Sequence, residues 1–132
     1  MAFLVKRHSK SEFYETFAKW LFNHNFPIIN EILLPENVFV VYNEDIPIYC
    51  MWFYFTDSKL AWLAFPASNN NIAYKKRDGG LRFLLSHIEN YAKKKGIKML
   101  FTTSDTESVV KVLTTFDFLK MDVKVNQYIK IL

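Results

Sequence analysis

The chain has 132 residues, a length that suits one domain. Hydrophobic residues make up 51% of it, charged residues 23% and aromatic residues 17%, and it has 3 glycines and 4 prolines, which excludes long disorder and collagen-like or low-complexity classes. The net charge of +4 suits an anionic partner such as a phosphorylated cofactor, but it is too modest to predict nucleic-acid binding.

The cysteine content and the apolar runs indicate the cellular compartment. Cys50 is the only cysteine, which excludes a small disulfide-stabilised secreted scaffold, and its apolar neighbours favour a buried, inert thiol. The longest apolar run, 46–55, is about half of a membrane-spanning helix. We expect no signal peptide, because the apolar stretch 2–5 is too short for one. The sequence therefore predicts a soluble, reduced, cytoplasmic protein with no membrane partner.

The N-terminal part predicts a strand followed by a helix. Residues 3–5 are typical of a short strand. Ser9 and Glu12 have the spacing of a capping box, in which each side chain satisfies a backbone N–H group of the other residue. Apolar residues at three- and four-residue spacing then predict an amphipathic helix over 10–24, which Pro27 ends.

A meander of three antiparallel strands follows. The segment 28–36 is ambiguous and is compatible with a short helical turn. β-branched and aromatic residues, separated by turn residues, predict strands over 38–42, 47–55 and 60–65. Pro66 is expected to end the last of them.

The second half predicts a crossover connection. A polar loop over 67–77 leads into an amphipathic helix over 79–95, with Gly96 as the residue after its C-cap. The next strand, 97–102, should lie parallel to 60–65, because a helical crossover joins parallel strands.

A third helix and a final strand complete the pattern. Ser104 and Glu107 form a second capping-box pattern before a helix. Alternating apolar and polar residues predict a half-exposed strand over 123–131. The predicted fold class is α/β (α+β), a mixed, mostly antiparallel sheet with helices on both faces, in a single domain over 1–132.

The one candidate phosphate-binding loop precedes the second helix. Gly79 and Gly80 at a helix start would let an anion approach free backbone N–H groups. Four basic residues surround them, namely Lys75, Lys76, Arg77 and Arg82. Alternatively, the glycines only turn the chain into the helix, with Asp78 as its N-cap. The local sequence leaves both interpretations open.

The order of these elements over residues 38–118 resembles the GNAT superfamily of N-acetyltransferases. The stretch Lys76–Leu81 falls on the family signature Arg/Gln-x-x-Gly-x-Gly/Ala, and Leu84-Leu85 on the apolar pair behind it. The run Tyr91–Ile97 resembles the exit of the family's helix. Phe116-Asp117-Phe118 resembles the Leu-Gly-Phe that ends its last helix.

This resemblance implies a site for acetyl-CoA and no metal. The pantetheine would lie between strands 60–65 and 97–102, which splay apart in the family, and a backbone N–H near Phe65 would polarise the thioester carbonyl. The amides of the signature would hold the pyrophosphate. The cofactor-binding residues so implied are Phe65, Lys76, Arg77, Gly79, Gly80, Leu81 and Arg82.

Several positions depart from the family pattern. Leu81 replaces a Gly or Ala that lets the pyrophosphate approach, and its side chain is expected to crowd the ligand. Leu113 stands where the family often has a Tyr that protonates the leaving thiolate, and leucine has no proton to donate. Thr106 replaces an Asn, Asp117 replaces a Gly, and Lys76 replaces Arg or Gln.

No catalytic set stands out, so the catalytic residues stay unknown. Glu36, Glu44 and Asp45 are the carboxylates near strand ends, and each is typical of a solvated turn residue. The three histidines, His8, His24 and His87, have no spacing that indicates a metal site.

Two functions remain open. The first is an acyl-CoA-dependent N-acyltransferase that transfers an acetyl or acyl group to an unidentified amine. The second is a catalytically inactive GNAT-fold protein that binds a protein partner or forms a homo-oligomer, for example within a larger assembly such as a virus particle. The second is motivated by Leu81, Leu113 and Asp117 and by the aromatic run 52–55, whose rings alternate faces.

Overall fold

The structure is a computed structural model that describes residues 2–72, 74–104, 107–121 and 128–132; the side chains of residues 74–78 and 107 lie outside this description. Within it, one sheet has five strands in the spatial order of the sequence. The strands are β1 (Phe3–Ser9), β2 (Asn37–Asn43), β3 (Ile46–Phe55), β4 (Leu60–Ser68) and β5 (Met99–Thr102). The helices are α1 (Lys10–Asn23), α2 (Tyr74–Lys94) and α3 (Glu107–Thr115), with a short 3₁₀ turn at Glu31–Leu33.

The sheet is mixed, and its parallel pair lies at one side. Strands β1 to β4 pair antiparallel in sequence order, and β5 lies parallel to β4 after the α2 crossover. The predicted fold class and the parallel pair are thereby confirmed.

One face of the sheet packs against α2 and α3. We call this packed side the α2-side core. Its buried members come from the central strands and from the apolar stripe of α2. They include Phe39, Val41, Ile48, Phe53, Ala61, Leu63, Leu81, Leu84, Leu85, Ile88 and Val112. The predicted helical stripe of α2 therefore packs on the sheet.

The other face packs against α1, and we call it the α1-side core. Phe13, Phe17 and Trp20 of the helix are buried against alternate residues of the strands. Val38, Val40, Cys50, Trp52 and Ala67 are the buried strand residues on this side. Helices on both faces explain why the strands are apolar on both sides.

The helix boundaries follow local sequence signals. The backbone N–H and the hydroxyl of Ser9 both donate to Glu12 Oε1, at 2.9 and 2.8 Å, so the first capping box is present. Gly96 follows α2 with φ of +77°, as a C′ glycine does. Asp105 and Thr106, together with the Glu107 side chain of the second predicted box, lie outside the described residues.

Two strand predictions need correction. The first strand extends beyond residue 5 to Ser9, because its charged residues occupy the sheet edge, where exposed polar side chains are tolerated. β4 continues through Pro66 to Ser68, because the strand bulges there and the missing N–H of proline breaks no regular ladder.

The start of the second helix also needs correction. α2 begins at Tyr74, whereas the sequence predicted a loop to Arg77 and a helix over 79–95. Of the predicted final strand, 122–127 lie outside the described residues, and Tyr128–Leu132 form no regular element.

Candidate functional site

The parallel strands β4 and β5 pair over only four rungs. The last rung joins Leu63 to Thr102, and the Thr102 hydroxyl donates to the Leu63 carbonyl at 2.9 Å. Beyond it, β4 runs on to Ser68 without a strand on this side in the described part of the chain. The pairing of β4 with β5 therefore ends where the resemblance places the pantetheine arm, and we call the region beyond this last rung the opening.

β4 bulges where this opening begins. Trp52 pairs with Ala64 and Cys50 pairs with Ala67, so Phe65 and Pro66 together face one residue of β3. Phe65 has φ of +48°, a left-handed conformation that costs a residue with a side chain about 1–2 kcal/mol. Of the two bulged residues, Phe65 is the one with a backbone N–H group, because proline has none. The sequence-based choice of Phe65 thus falls at a strained backbone position next to the opening.

The two signature glycines lie inside α2 and not at its start. In a helix that begins at Tyr74, the free N–H groups belong to the first turn. The amides of Gly79, Gly80 and Leu81 come later, where helical N–H groups bond to carbonyls four residues back. The expectation of free amides at these three residues therefore does not fit the helix start.

Both glycines face other parts of the chain. A Cβ on Gly80 would lie 2.5 Å from Cδ1 of Ile48, and one on Gly79 would lie 3.2 Å from the ring of Phe3. Leu81 is 5% exposed and belongs to the α2-side core. The three residues hold α2 close to the sheet. Crowding of the ligand by Leu81 would require its side chain to project toward solvent, but this side chain is buried in the core.

The basic residues of the predicted site separate into two groups. Arg82 Nη1 donates to the Thr115 hydroxyl of α3 at 2.9 Å, so this guanidinium links the two helices. Lys76 and Arg77 lie in the first turn of α2, and their side chains are outside the described part.

Helix α3 offers no proton donor at the family's Tyr position. Leu113 is partly buried against the α2-side core. The hydroxyls of Thr114 and Thr115 donate to helix carbonyls, at 2.9 Å to Val110 and 2.7 Å to Val112. These hydroxyl protons are already engaged within the helix.

The candidate carboxylates lie at exposed positions. Glu44 and Asp45 form the exposed turn between β2 and β3. Glu36 is exposed and lies directly before Asn37, the first residue of β2. Asn37 pairs with Phe53, whose neighbour in β3 is Tyr54. Neither β4 nor β5 contains a carboxylate or a histidine.

The histidines make local contacts. His8 Nε2 lies 2.8 Å from the Tyr42 hydroxyl, and His24 Nε2 lies 2.9 Å from the Ser68 carbonyl, to which it donates. The His87 ring packs 5.8 Å from Phe39, and burial, followed by the Lys94 charge, lowers the pKa of this imidazole. Within the described ranges, no three His, Cys, Asp or Glu side chains form a group that could hold a metal.

An aromatic surface adjoins the opening on the α1 side. The rings of Tyr54, Trp62 and Phe65 lie 5.3 to 6.4 Å from one another. Phe101 pairs with Trp62 and points to the same face, because its neighbour Leu100 packs on the α2 side. Sequence reasoning missed Trp62 and Phe101, because the register that pairs them is fixed only in the folded chain.

The aromatic run 52–55 divides between core and surface. Trp52 and Phe53 are fully buried, whereas Phe55 is 46% exposed. Among the described helices, none combines the length and the hydropathy that a membrane crossing requires.

Comparison with known proteins gives structural matches only. No family model matches the sequence, and no curated protein does. An aminoglycoside acetyltransferase from an uncultured soil metagenomic sample, solved with sisomicin, superposes with a TM-score of 0.73 at 17% identity over 98% of this chain and 96% of that one. A second one from an uncultured soil metagenomic sample gives 0.69 at 10% identity, over 98% and 100% of the two chains.

An aminoglycoside N-acetyltransferase solved with CoA gives a TM-score of 0.65 at 15% identity, over 98% of this chain and 95% of that one. These matches span nearly the whole length of each chain. The chain has the fold of the GNAT acetyltransferases, in a divergent form.

Proposed function

We propose that the protein is an acyl-CoA-dependent N-acyltransferase that acts on a primary amine. The observation that carries this proposal is the opening of the β4–β5 pair beside the strained bulge at Phe65, within a GNAT fold. Such an opening accommodates an extended pantetheine arm, whose amides can pair with the strand edge as a further strand would.

The acyl-CoA would contact the chain at two places. The thioester carbonyl would lie near the backbone N–H of Phe65, which would stabilise the oxygen as it becomes negative. The pyrophosphate would lie at the first turn of α2, where free amides and the helix dipole favour an anion. Lys76 and Arg77 would add positive charge there, whereas Gly79, Gly80, Leu81 and Arg82 would hold the helix in place.

The reaction transfers an acyl group between a sulfur and a nitrogen. The neutral amine nitrogen attacks the thioester carbonyl carbon, the C–N bond forms and the C–S bond breaks. The nitrogen loses one proton and the departing CoA sulfur gains one, so the reaction balances without a further reactant. The chain contributes by positioning the two reactants, which alone can remove much of the barrier.

The missing proton donor at Leu113 is compatible with this reaction. A thiol has a pKa of about 8.5, so a thiolate can leave without prior protonation. General acid catalysis typically contributes about 10²–10⁴-fold, and we expect turnover to be slow by about that factor.

Isothermal titration with acetyl-CoA and with CoA tests the binding step. The double variant Lys76→Gln/Arg77→Gln should weaken both ligands. The matched control, Lys93→Gln/Lys94→Gln, removes the same charge at the other end of α2 and should leave binding unchanged. No detectable heat at millimolar ligand with the wild-type protein would overturn the proposal.

Release of CoA thiol in the presence of a panel of amines tests the transfer step. Turnover supports the enzyme, and it should require both acetyl-CoA and an amine. Tight binding without turnover of any amine would instead favour the inactive GNAT-fold binding protein.

A further inference from the structure

The aromatic surface beside the opening restricts the kind of amine that can reach the thioester. We infer that the acceptor is an arylalkylamine, a single primary amine on a short chain from an aromatic ring, and that Trp62 and Phe101 bind its ring. This inference rests on the proposed function and specifies the acceptor of the same site.

In the part of the chain that the structure describes, the β4–β5 pair is covered on its α2 side and exposed on its α1 side. On the α2 side, Ala61 and Leu63 are fully buried and Leu100 packs against the same core. On the α1 side, the paired residues Trp62 and Phe101 are 36% and 41% exposed. Their rung adjoins the last rung of the pair, so a molecule lying on them is next to the opening.

The rings on this side converge on one place. Trp62 and Tyr54 are cross-strand partners with ring centroids 5.3 Å apart. The bulge turns Phe65 to the same side, 6.4 Å from Trp62 and 6.3 Å from Tyr54. The Tyr54 hydroxyl donates to the Leu33 carbonyl at 2.8 Å, which fixes this ring without leaving its proton for a ligand.

The chemistry of this surface favours an aromatic body over a polycationic one. The residues that β3, β4 and β5 place on it are uncharged, and they are Tyr54, Leu60, Trp62, Phe65, Met99 and Phe101. Recognition of several ammonium groups calls for several opposite charges. Aromatic rings instead stack on another ring and attract one cation through their faces.

The test compares acceptors on the complete protein with saturating acetyl-CoA. The amines are 2-phenylethylamine, tryptamine, the aliphatic propylamine and the aminoglycoside sisomicin, and kcat/KM is measured from thiol release. The two aromatic amines should exceed both propylamine and sisomicin by at least about tenfold. Equal or better turnover of sisomicin or propylamine would overturn the inference and leave the proposed function standing.

Variants connect the preference to the named residues. Trp62→Ala and Phe101→Ala should each lower the ratio of kcat/KM for 2-phenylethylamine to that for propylamine by about tenfold. The control is Phe83→Ala, which removes a ring of similar exposure (43%) from α2, where it packs near Phe3. Equal effects of Phe83→Ala and Trp62→Ala would contradict the assignment.

Calorimetry distinguishes failure of the acceptor inference from failure of the proposed function. Unchanged affinity for acetyl-CoA in Trp62→Ala and Phe101→Ala shows that the variants fold and retain the first site. If acetyl-CoA binds but no amine is turned over, binding of 2-phenylethylamine to the CoA-loaded protein is measured by saturation-transfer NMR. A signal that Trp62→Ala abolishes supports the inference, and no signal overturns it. Loss of acetyl-CoA binding in the wild-type protein overturns the proposed function and the inference together.

Discussion

Gly80 in α2 lies so close to Ile48 in β3 that a Cβ at Gly80 would be 2.5 Å from the Cδ1 of that isoleucine. Ile48 is fully buried, so its end has little room to move. The approach of helix to sheet at this point therefore favours a residue without a side chain, since a Cβ would displace the end of Ile48.

Replacement of Gly80 should test this close contact. Overpacking costs about 1–3 kcal/mol. Because alanine is the better helix former by about 1 kcal/mol, Gly80→Ala should lower the free energy of unfolding by a net amount of up to about 2 kcal/mol in urea denaturation. Ile48→Val removes Cδ1 and should reduce this loss in the double variant. Gly79→Ala is the control, since its Cβ would meet only the half-buried ring of Phe3 at 3.2 Å, and it should stay within about 1 kcal/mol of wild type.

The same variants distinguish the two interpretations of the diglycine. If the glycines serve packing, the double variant Gly80→Ala/Ile48→Val should bind acetyl-CoA as wild type does. A large loss of affinity in a well-folded double variant would show that Gly80 contacts the ligand.

Replacement of the glycine after α2 should lower the stability of the protein, whereas introduction of a glycine after α3 should raise it. Gly96 and Asp117 both have positive φ, +77° and +63°. Gly96→Ala meets no atom within 4 Å and should cost about 1–2 kcal/mol from backbone strain alone. Asp117→Gly should stabilise by up to about 1 kcal/mol, because release of strain exceeds the added entropy of the unfolded chain. Thermal unfolding measures both, and a loss of stability in Asp117→Gly would contradict this account.

The first capping box predicts a pH-dependent contribution from Glu12. Hydrogen bonds from the Ser9 backbone N–H and then the Ser9 hydroxyl lower the pKa of this carboxyl below its ordinary value. A group with a lowered pKa in the folded state contributes stability above its unfolded pKa, and that stability is lost as the pH falls through the folded pKa. Glu12→Gln should therefore be less stable than wild type at pH 7, and the difference should shrink below about pH 4. A difference between Glu12→Gln and wild type that persists in full at pH 3 would contradict this account.

The thiol of Cys50 should be unreactive in the folded protein. It is fully buried, and burial raises its pKa far above the ordinary range, although the backbone N–H of Ala67 acts in the opposite direction. Ellman's reagent should label it only after unfolding in guanidinium. Rapid stoichiometric labelling of the native protein would show that the α1-side core opens, and it would also interfere with thiol-release assays.

The rate of acyl transfer should increase with pH. β4 and β5 contain no carboxylate or histidine, so we expect solvent to deprotonate the attacking amine. An alkylamine has a pKa of about 10.4, and its neutral fraction rises about tenfold for each pH unit below that value. A plot of log(kcat/KM) should rise with a slope near one between pH 7 and 9. A plateau near neutral pH would reveal a base in the protein.

The elements that sequence reasoning located correctly depend on neighbouring residues. The capping box at Ser9 and Glu12, the stripe of α2 and the glycine after it are patterns within a few residues of each other. These patterns satisfy backbone hydrogen-bonding groups or set the helical period within a few residues. A short stretch of sequence is therefore enough to recognise them. The errors arose where contacts override such patterns.

The start of α2 shows this override. Gly79 and Gly80 resemble a loop when they are read along the chain, and the polar residues before them have no apolar period. Side chains at these positions would contact Ile48 and Phe3, which are distant in sequence, and only the folded structure shows this. Likewise, Pro66 resembles a strand end until the bulge in β4 is known.

The amino-acid order alone was sufficient for the α/β class and the parallel crossover, because periodicity and turn residues define elements and their succession. The pairing of Trp62 with Phe101 and the left-handed Phe65 required the folded chain. Cross-strand register and backbone strain arise from packing between distant segments, and no local pattern encodes where two strands stop pairing.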